Sequence, residues 1–367
     1  MKYILFVIVL LSFQINKAQN SSSLYQNWVD AQVNNTTSIL PTFSYAGYKN
    51  GEISLPNQLI GQVYDVTNYG AIANDNISDK QAIMDAISAA ESNPNGGVVF
   101  FPSGRFIIND AVTDDVNQII KITKNNIVLK GSGSGIGGTE LYQKDYVPHS
   151  NQATKPWINP YLIEFTNGEN FTKPKITNVT ENADRETYTV QVESTANISA
   201  GQWVELFVNS TNTNFLTEEL TPFSTSDFYE PQNLNIVNNG VTVRELHKVI
   251  SKTTNSITFK EPLHRAVNAV YGWEIRRFTP IENVGIQDLK YTGGYIWDFI
   301  HHKAPKELYP NEPEATEFAF LSDAAWSGIR LRQVVNGWIR NVVFSNMSRG
   351  AEFSSSCLLY TSPSPRD

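Results

Sequence analysis

Gly96-Gly97-Val98-Val99-Phe100-Phe101-Pro102-Ser103-Gly104-Arg105-Phe106-Ile107-Ile108 is where the fold is decided. Val98–Phe101 is a short apolar run closed by glycines on one side and Pro-Ser-Gly on the other, the pattern of a buried strand between tight turns. Arg105–Ile108 supplies another strand at once, and Ile119–Ile122 and Ile127–Gly131 supply two more. Upstream, Val63–Val66 reads as a strand and Asn68–Ala71 as a turn. Between them, Ser78-Asp79-Lys80-Gln81 has the form of a capping box, with Ser78 at the N-cap and Gln81 at N3. Ile83, Ile87 and Ala90 follow at helical spacing, with Ala82, Ala86 and Ala89 alongside, and Asn93–Gly97 ends the helix.

Four pieces taken together resemble the N-terminal signature of the pectate-lyase-like superfamily, in its rhamnogalacturonase and epimerase-type branch. They are Val66-Thr67-Asn68-Tyr69-Gly70-Ala71, Asp79 opening the helix, Gly96–Gly104, and Ile127-Val128-Leu129-Lys130-Gly131-Ser132-Gly133. The resemblance implies an all-β, right-handed parallel β-helix, a pectin-lyase-like solenoid, with the helix as its N-terminal cap. Such a cap is physically reasonable, because an open solenoid end exposes strand edges and apolar side chains.

Residues 161–280 break this rhythm. Thr187–Val192 alternates like a half-buried strand, and Ile198–Leu206, Leu246–Ile250 and Ser256–Phe259 supply further strand signals. They are read as a small antiparallel β insertion, with a long loop over Asn209–Asn239. Glu282–Tyr291 then aligns with Gly337–Phe344: both carry Ile-x-Asp/Asn-Leu/Val-x-aromatic, one β-helix rung repeated. The expected organisation is a signal peptide at 1–18, an N-terminal extension at 19–60, the start of the β-helix with its helix at 61–160, the inserted domain at 161–280 and incomplete coils at 281–356. Residues 357–367 read as an in-frame translated sequencing adapter unrelated to the strand pattern, so the protein is expected to be C-terminally truncated.

Lys2 followed by the apolar run Tyr3–Leu11 and the small Ala18 is the layout of a cleaved secretory leader, too short to span a bilayer. The implied location is secreted, periplasmic or at the bacterial cell surface, with no membrane anchor. The net charge of −8 disfavours a general nucleic-acid binder, which needs a basic face. It leaves room for a local basic cleft. The sole cysteine, Cys357, lies in the adapter-like tail, so no thiol chemistry is argued.

Ser132–Gly138 is Gly-rich, but the strand-like Thr139–Tyr142 follows it, which favours a tight corner over a phosphate loop. The better catalytic candidates are His301, His302 and Lys303, where proton transfer near neutral pH and anion stabilisation meet in one segment. Arg330 and Arg332 join them: two apart on a strand, they face the same side, and with Arg340 and Arg349 they form a ladder suited to sugar carboxylates or sulfates. Asp298, Asp323, Arg349 and Trp326 are candidate substrate-binding residues, Trp326 as a stacking platform. No metal site is assigned. No particular cofactor is assigned, and Ca²⁺ held by carboxylates is an alternative to arginine as charge neutraliser.

The expected function is degradation of an anionic, uronate-containing polysaccharide, with lyase-like β-elimination preferred. The alternatives are a glycoside hydrolase of the polygalacturonase or rhamnogalacturonase type, or a non-catalytic β-helix adhesin or carbohydrate-binding protein. Residues 283–356 lack the paired Asp a polygalacturonase would use, and Asp114-Asp115 sits near the capped end.

Overall fold

The structure is a computed structural model that describes residues 23–34, 36, 45–55, 61–151, 158, 160–168, 173–220, 238–296, 321–357 and 360–361. Its first rungs are made by β1 (Val63–Asp65), β2 (Gly97–Phe100), β3 (Gly104–Asn109), β4 (Ile120–Ile122), β5 (Ile127–Lys130), β6 (Thr139–Gln143) and β7 (Ile163–Phe165). Then come β8 (Lys175–Asn178), β9 (Thr189–Gln191), β10 (Trp203–Ser210), β11 (Val241–Lys252), β12 (Ser256–Phe259) and β13 (Glu274–Arg277). The later rungs are β14 (Ile281–Glu282), β15 (Gly285–Gly293), β16 (Ser327–Arg332), β17 (Val334–Val335), β18 (Trp338–Ser345), β19 (Arg349–Ser354) and β20 (Tyr360–Thr361). Among the described residues, three α-helices accompany them: α1 (Ser23–Asn34), α2 (Lys80–Ser92) and α3 (Thr213–Leu220). The fold is therefore β-rich, and the all-β expectation is corrected by these helices.

Each pass of the chain adds one strand to each of several parallel columns. The first column runs β1-β2-β5-β15-β18-β20 and the second runs β3-β6-β15-β18, the long strands β15 and β18 serving both. The third column is β4-β7-β16-β19, and β14 pairs with β17 in a fourth. Like residues stack inside: Val99, Leu129, Ile286 and Ile339 in one file, and Phe106, Leu141, Tyr291 and Phe344 in another. The repeat read from Ile286–Tyr291 and Ile339–Phe344 is the observed β15–β18 register. Tyr360–Thr361 pairs in parallel with Trp338–Ile339.

The corners between columns explain the Asp/Asn in that repeat. Asp288 and Asn341 hold φ of 57° and 51°, and the Asn341 amide donates to Asp288 Oδ1 at 2.9 Å. Gly96, Asn126, Asn283 and Asn336 line another corner, with φ of 70°, 61°, 57° and 54°. Asn and Gly tolerate this left-handed conformation better than other residues.

Helix α2 closes the stack by turning Ile83, Ala86, Ile87 and Ala90 onto the cluster that holds Val99, Phe101 and Ile120. Its N-cap is Asp79, not Ser78, and Asp79 does not cap it by side chain. Instead its carboxylate accepts the backbone N–H groups of Ile72 (2.8 Å) and Ile107 (3.1 Å), while Ser78 donates to Asp114 at 2.6 Å and Gln81 donates to Asp85. The capping-box expectation failed because the helix starts one residue later and both box side chains are engaged elsewhere, Ser78 with Asp114 and Gln81 with Asp85.

The antiparallel sheet β8-β13-β10-β11-β12-β9 lies between β7 and β14 with its own core, including Val204, Leu206, Phe259, Trp273 and Ile275. The expected Asn209–Asn239 loop contains α3; its residues 221–237 lie outside the described part. Of the N-terminal aromatics, Tyr48 is buried edge-on against Trp338, at 5.6 Å and 88°, and the Tyr45 hydroxyl meets that of Tyr188 at 3.0 Å. Trp28 stays exposed, stacked on Tyr25.

Two stability predictions follow from these positions. Burial pushes the Asp79 carboxyl up to about 6, against the two backbone donors and helped by the charges of Asp75 and Asp114. The folded state thus binds this proton more tightly than the unfolded chain does. The associated stability is full below about pH 4 and is lost as pH rises through about 6. Between pH 4 and pH 7, the unfolding free energy of the wild type should fall relative to Asp79→Asn by up to about 3 kcal/mol in denaturant titrations. Gly96→Ala should cost about 2–4 kcal/mol in the same assay, since Ala disfavours a positive φ and its Cβ would strike the Asn126 backbone.

Candidate functional site

In sequence, long connections lead into and out of the strands of the third column. Residues 110–119 precede β4, 144–162 precede β7, 294–326 precede β16, and the antiparallel sheet follows β7. Its inward residues are apolar: Ile122, Phe165 and Leu331 stack in one file with Phe353. The residues between them therefore face outward. Lys121, Glu164, Arg330 and Glu352 occupy one such row.

Glu164 is only 4% exposed, and a carboxylate so buried needs partners. Its Oε1 accepts Arg330 Nε at 3.0 Å and Nη2 at 2.8 Å. Arg332 Nε lies 3.5 Å from the same oxygen and 3.3 Å from Thr166 Oγ1. The same-side expectation for Arg330 and Arg332 describes their placement, with Glu164 between them. Arg330 commits Nε and Nη2 to Glu164, and a guanidinium carries five N–H donors.

On the next rung, the Tyr161 hydroxyl donates to Glu352 Oε2 at 3.0 Å, and Arg330 lies over the Tyr161 ring at 5.4 Å. Burial, then the charge and hydrogen bond of Glu352, push the Tyr161 phenol up to about 12, although Arg349 pulls it down. Tyr161 therefore stays protonated through the physiological range and fixes the orientation of Glu352. At the usual strand spacing of about 4.8 Å, the Glu164 and Glu352 backbones stand about 10 Å apart with Arg330 between them.

Arg330, Arg332 and Arg349 thus share the third column. Arg340 does not join them: it is in register with Gln287 and Lys130 on the first column. Arg349 pairs with Ser327, in phase with Ile329 and Leu331, so of the four expected arginines only Arg330 and Arg332 share the outward face of this column. Trp326 is 5% exposed and packs against Tyr146 (5.3 Å) and Tyr295 (5.8 Å). This burial removes its face from service as a stacking platform. Asp298, His301, His302 and Lys303 lie outside the described residues, as does the Asp323 side chain.

Asp114 and Asp115 are structural. Asp114 holds Ser78 and the Asp110 N–H, and the Asp115 carbonyl accepts Lys80 Nζ. Ser132–Gly138 joins β5 to β6, so no helix N-terminus follows it. Among the described residues, no group of three or more His, Cys, Asp or Glu is placed to hold a metal ion, and no helix is long and apolar enough to cross a membrane.

Tyr161, Glu164 and Glu352 were missed by sequence reasoning. Glu164 interrupts the apolar Ile163–Phe165 run, a local sign of a polar group needing a partner, but its partner Arg330 lies 166 residues away in sequence. Only the rung register brings them together.

The family described as "Rhamnogalacturonase A/epimerase, pectate lyase-like" matches residues 63–293. Plasmin and fibronectin-binding protein A of Streptococcus pneumoniae (strain ATCC BAA-255 / R6) is 28% identical over 98 residues, 26% of this chain and 14% of that protein. Among solved structures, the tailspike gp61 of Pseudomonas phage phi297 has a TM-score of 0.47 at 11% identity, over 77% of this chain and 38% of that one. The tailspike gp49 of Pseudomonas phage LKA1 has a TM-score of 0.46 at 15% identity, over 79% and 40%. The chain therefore spans well under two thirds of each of these proteins. Its β-rich fold with parallel sheets is similar to that of right-handed β-helix proteins.

Because Glu164 binds both Arg330 and Arg332, Glu164→Gln should leave the arginines with a weaker, neutral acceptor. A loss of about 2 kcal/mol is expected in urea unfolding. An unchanged midpoint would mean that these bonds are exchanged evenly for water.

Proposed function

The chain belongs to the rhamnogalacturonase A/epimerase, pectate lyase-like family, and from that premise we propose that it binds and cleaves an anionic, uronate-containing polysaccharide by β-elimination. The family includes enzymes. The observation that carries the proposal is the row Glu164–Arg330–Glu352, with Arg332 and Arg349 on the same column between long connections.

In β-elimination a base takes the proton beside the uronate carboxylate, a carbon–carbon double bond forms, and the glycosidic oxygen departs and takes up a proton. The step needs a cation against the carboxylate, because charge builds there in the transition state. Arg330 suits that role: Glu164 fixes its plane and leaves other N–H donors for a ligand. Glu352, held by Tyr161, is a candidate base, and His301 and His302 remain candidates from sequence. Asp298 and Lys303, in the same connection, remain proposals, as does Asp323. The finer architecture we assign is a right-handed parallel β-helix, exported to the cell surface or beyond, with the polymer lying across the third column.

A second reading is supported by the two carboxylates of the row. A glycoside hydrolase needs a pair about 5–9.5 Å apart, and Glu164 and Glu352 flank Arg330 at comparable backbone spacing. Against it, Glu164 is buried and already committed to two arginines. A purely binding role would use the same face without chemistry.

Incubation with polygalacturonate, alginate and ulvan separates the three. Ultraviolet absorbance of a new unsaturated uronide is the expected result. Reducing ends without it would indicate hydrolysis, and retention on the polymer without either would indicate a binder. Arg330→Ala should lower kcat/KM at least 100-fold, and Glu352→Gln should lower kcat by a similar factor.

A further inference from the structure

The second column also carries an outward row of charge, away from the residues assigned above. Arg105 on β3, Glu140 on β6, Lys290 on β15 and Val343 on β18 stand in register. Beside them runs an open groove of about 870 Å³, walled by the Gly-rich corner 134–138 and by Asn74 and Asn76. Arg105 and Lys290 face one carboxylate on its lining, an excess of positive charge on a chain of net charge −8.

The cations are positioned rather than loose. Arg105 Nε donates to Glu140 Oε2 at 2.8 Å, and its guanidinium lies 4.8 Å from the Tyr142 ring centroid. Lys290 Nζ is 3.4 Å from Glu140 Oε1, which also accepts the Thr292 hydroxyl. Both side chains still meet solvent, at 48% and 38% exposure. Lying two strands apart, they are spaced about 10 Å along the stacking direction. The opposite wall offers bare backbone: a Cβ on Gly135 or Gly137 would meet nothing within 4 Å.

Two fixed cations spaced along an open, polar trough match a linear ligand with repeating anionic groups and hydroxyls between them. We propose that this groove is a second, non-catalytic binding site that holds a separate stretch of anionic polysaccharide through Arg105 and Lys290. It shares its ligand class with the function proposed above but none of its residues.

The test is electrophoresis of the full chain through gels containing polygalacturonate, with dextran gels as the neutral control. Arg105→Ala/Lys290→Ala removes both cations. Gly135→Glu adds a carboxylate where space is open. Each should weaken retardation at least fivefold while leaving the cleavage rate of short uronate oligomers at the wild-type value. Wild-type retardation by both variants would overturn the site, as would equal retardation of the wild type by dextran. Normal cleavage by a wild type that no polyanion retards would overturn the groove and leave the catalytic assignment standing. Loss of retardation in the variants, with no polymer cleaved by any form, would support the groove and overturn the catalytic assignment.

Discussion

The corner residues set the geometry on which the rest of the structure depends. A parallel column works only if each pass of the chain turns at the same place as the pass before it. A one-residue slip would send every inward side chain outward. Asp288 stacked with Asn341, and Asn283 stacked with Asn126, pin that register by side-chain hydrogen bonds between successive rungs. The left-handed backbone at each corner is what lets a short connection change direction. With the corners fixed, apolar files fill the interior and polar residues between them are delivered to the outside in straight rows. Both the Glu164–Arg330–Glu352 row and the Arg105–Glu140–Lys290 row are products of this register.

The two rows differ in how their charges are managed. Glu164 is almost fully buried, so its arginines satisfy a carboxylate that has lost its water. Glu140 sits nearer the surface, where burial raises its carboxyl and the Thr292 and Arg105 hydrogen bonds outweigh that and hold it low. Its cations remain solvated on one side, where ion pairing alone contributes little to stability. Rigid presentation is the common result, reached by burial in one row and by an aromatic support in the other.

Much of the fold was legible in the sequence. The strands around Val98–Phe101 and Ile127–Lys130, the helix beginning near Lys80, and the pairing of Ile286 with Ile339 all follow from local apolar patterns. What local patterns could not supply was partnership across rungs. Ser78 and Gln81 read as a capping box because the sequence does not show Asp114, the tertiary partner that takes the Ser78 hydroxyl. Trp326 reads as a platform because an aromatic face can pack on the CH surface of a sugar, yet Tyr146 and Tyr295 enclose it. Arg340 and Arg330 were indistinguishable as sequence, and the corner at Asn336 sends them to different columns. Glu164 and Glu352 are separated by the whole antiparallel sheet, so no spacing rule could pair them.

The segment around Tyr48–Asn50 has a consequence for the order of assembly. Its Lys49 N–H reaches Asn336 Oδ1 at 3.0 Å, across 287 positions of sequence, and Asn50 donates to the buried Glu261. The Lys49–Asn336 contact can form only after the corner at Asn336 has been made, whereas the Glu261 contact needs only the antiparallel sheet. Closing so large a loop costs chain entropy. The early segment therefore acts as a strap that ties the antiparallel sheet to the stacked rungs.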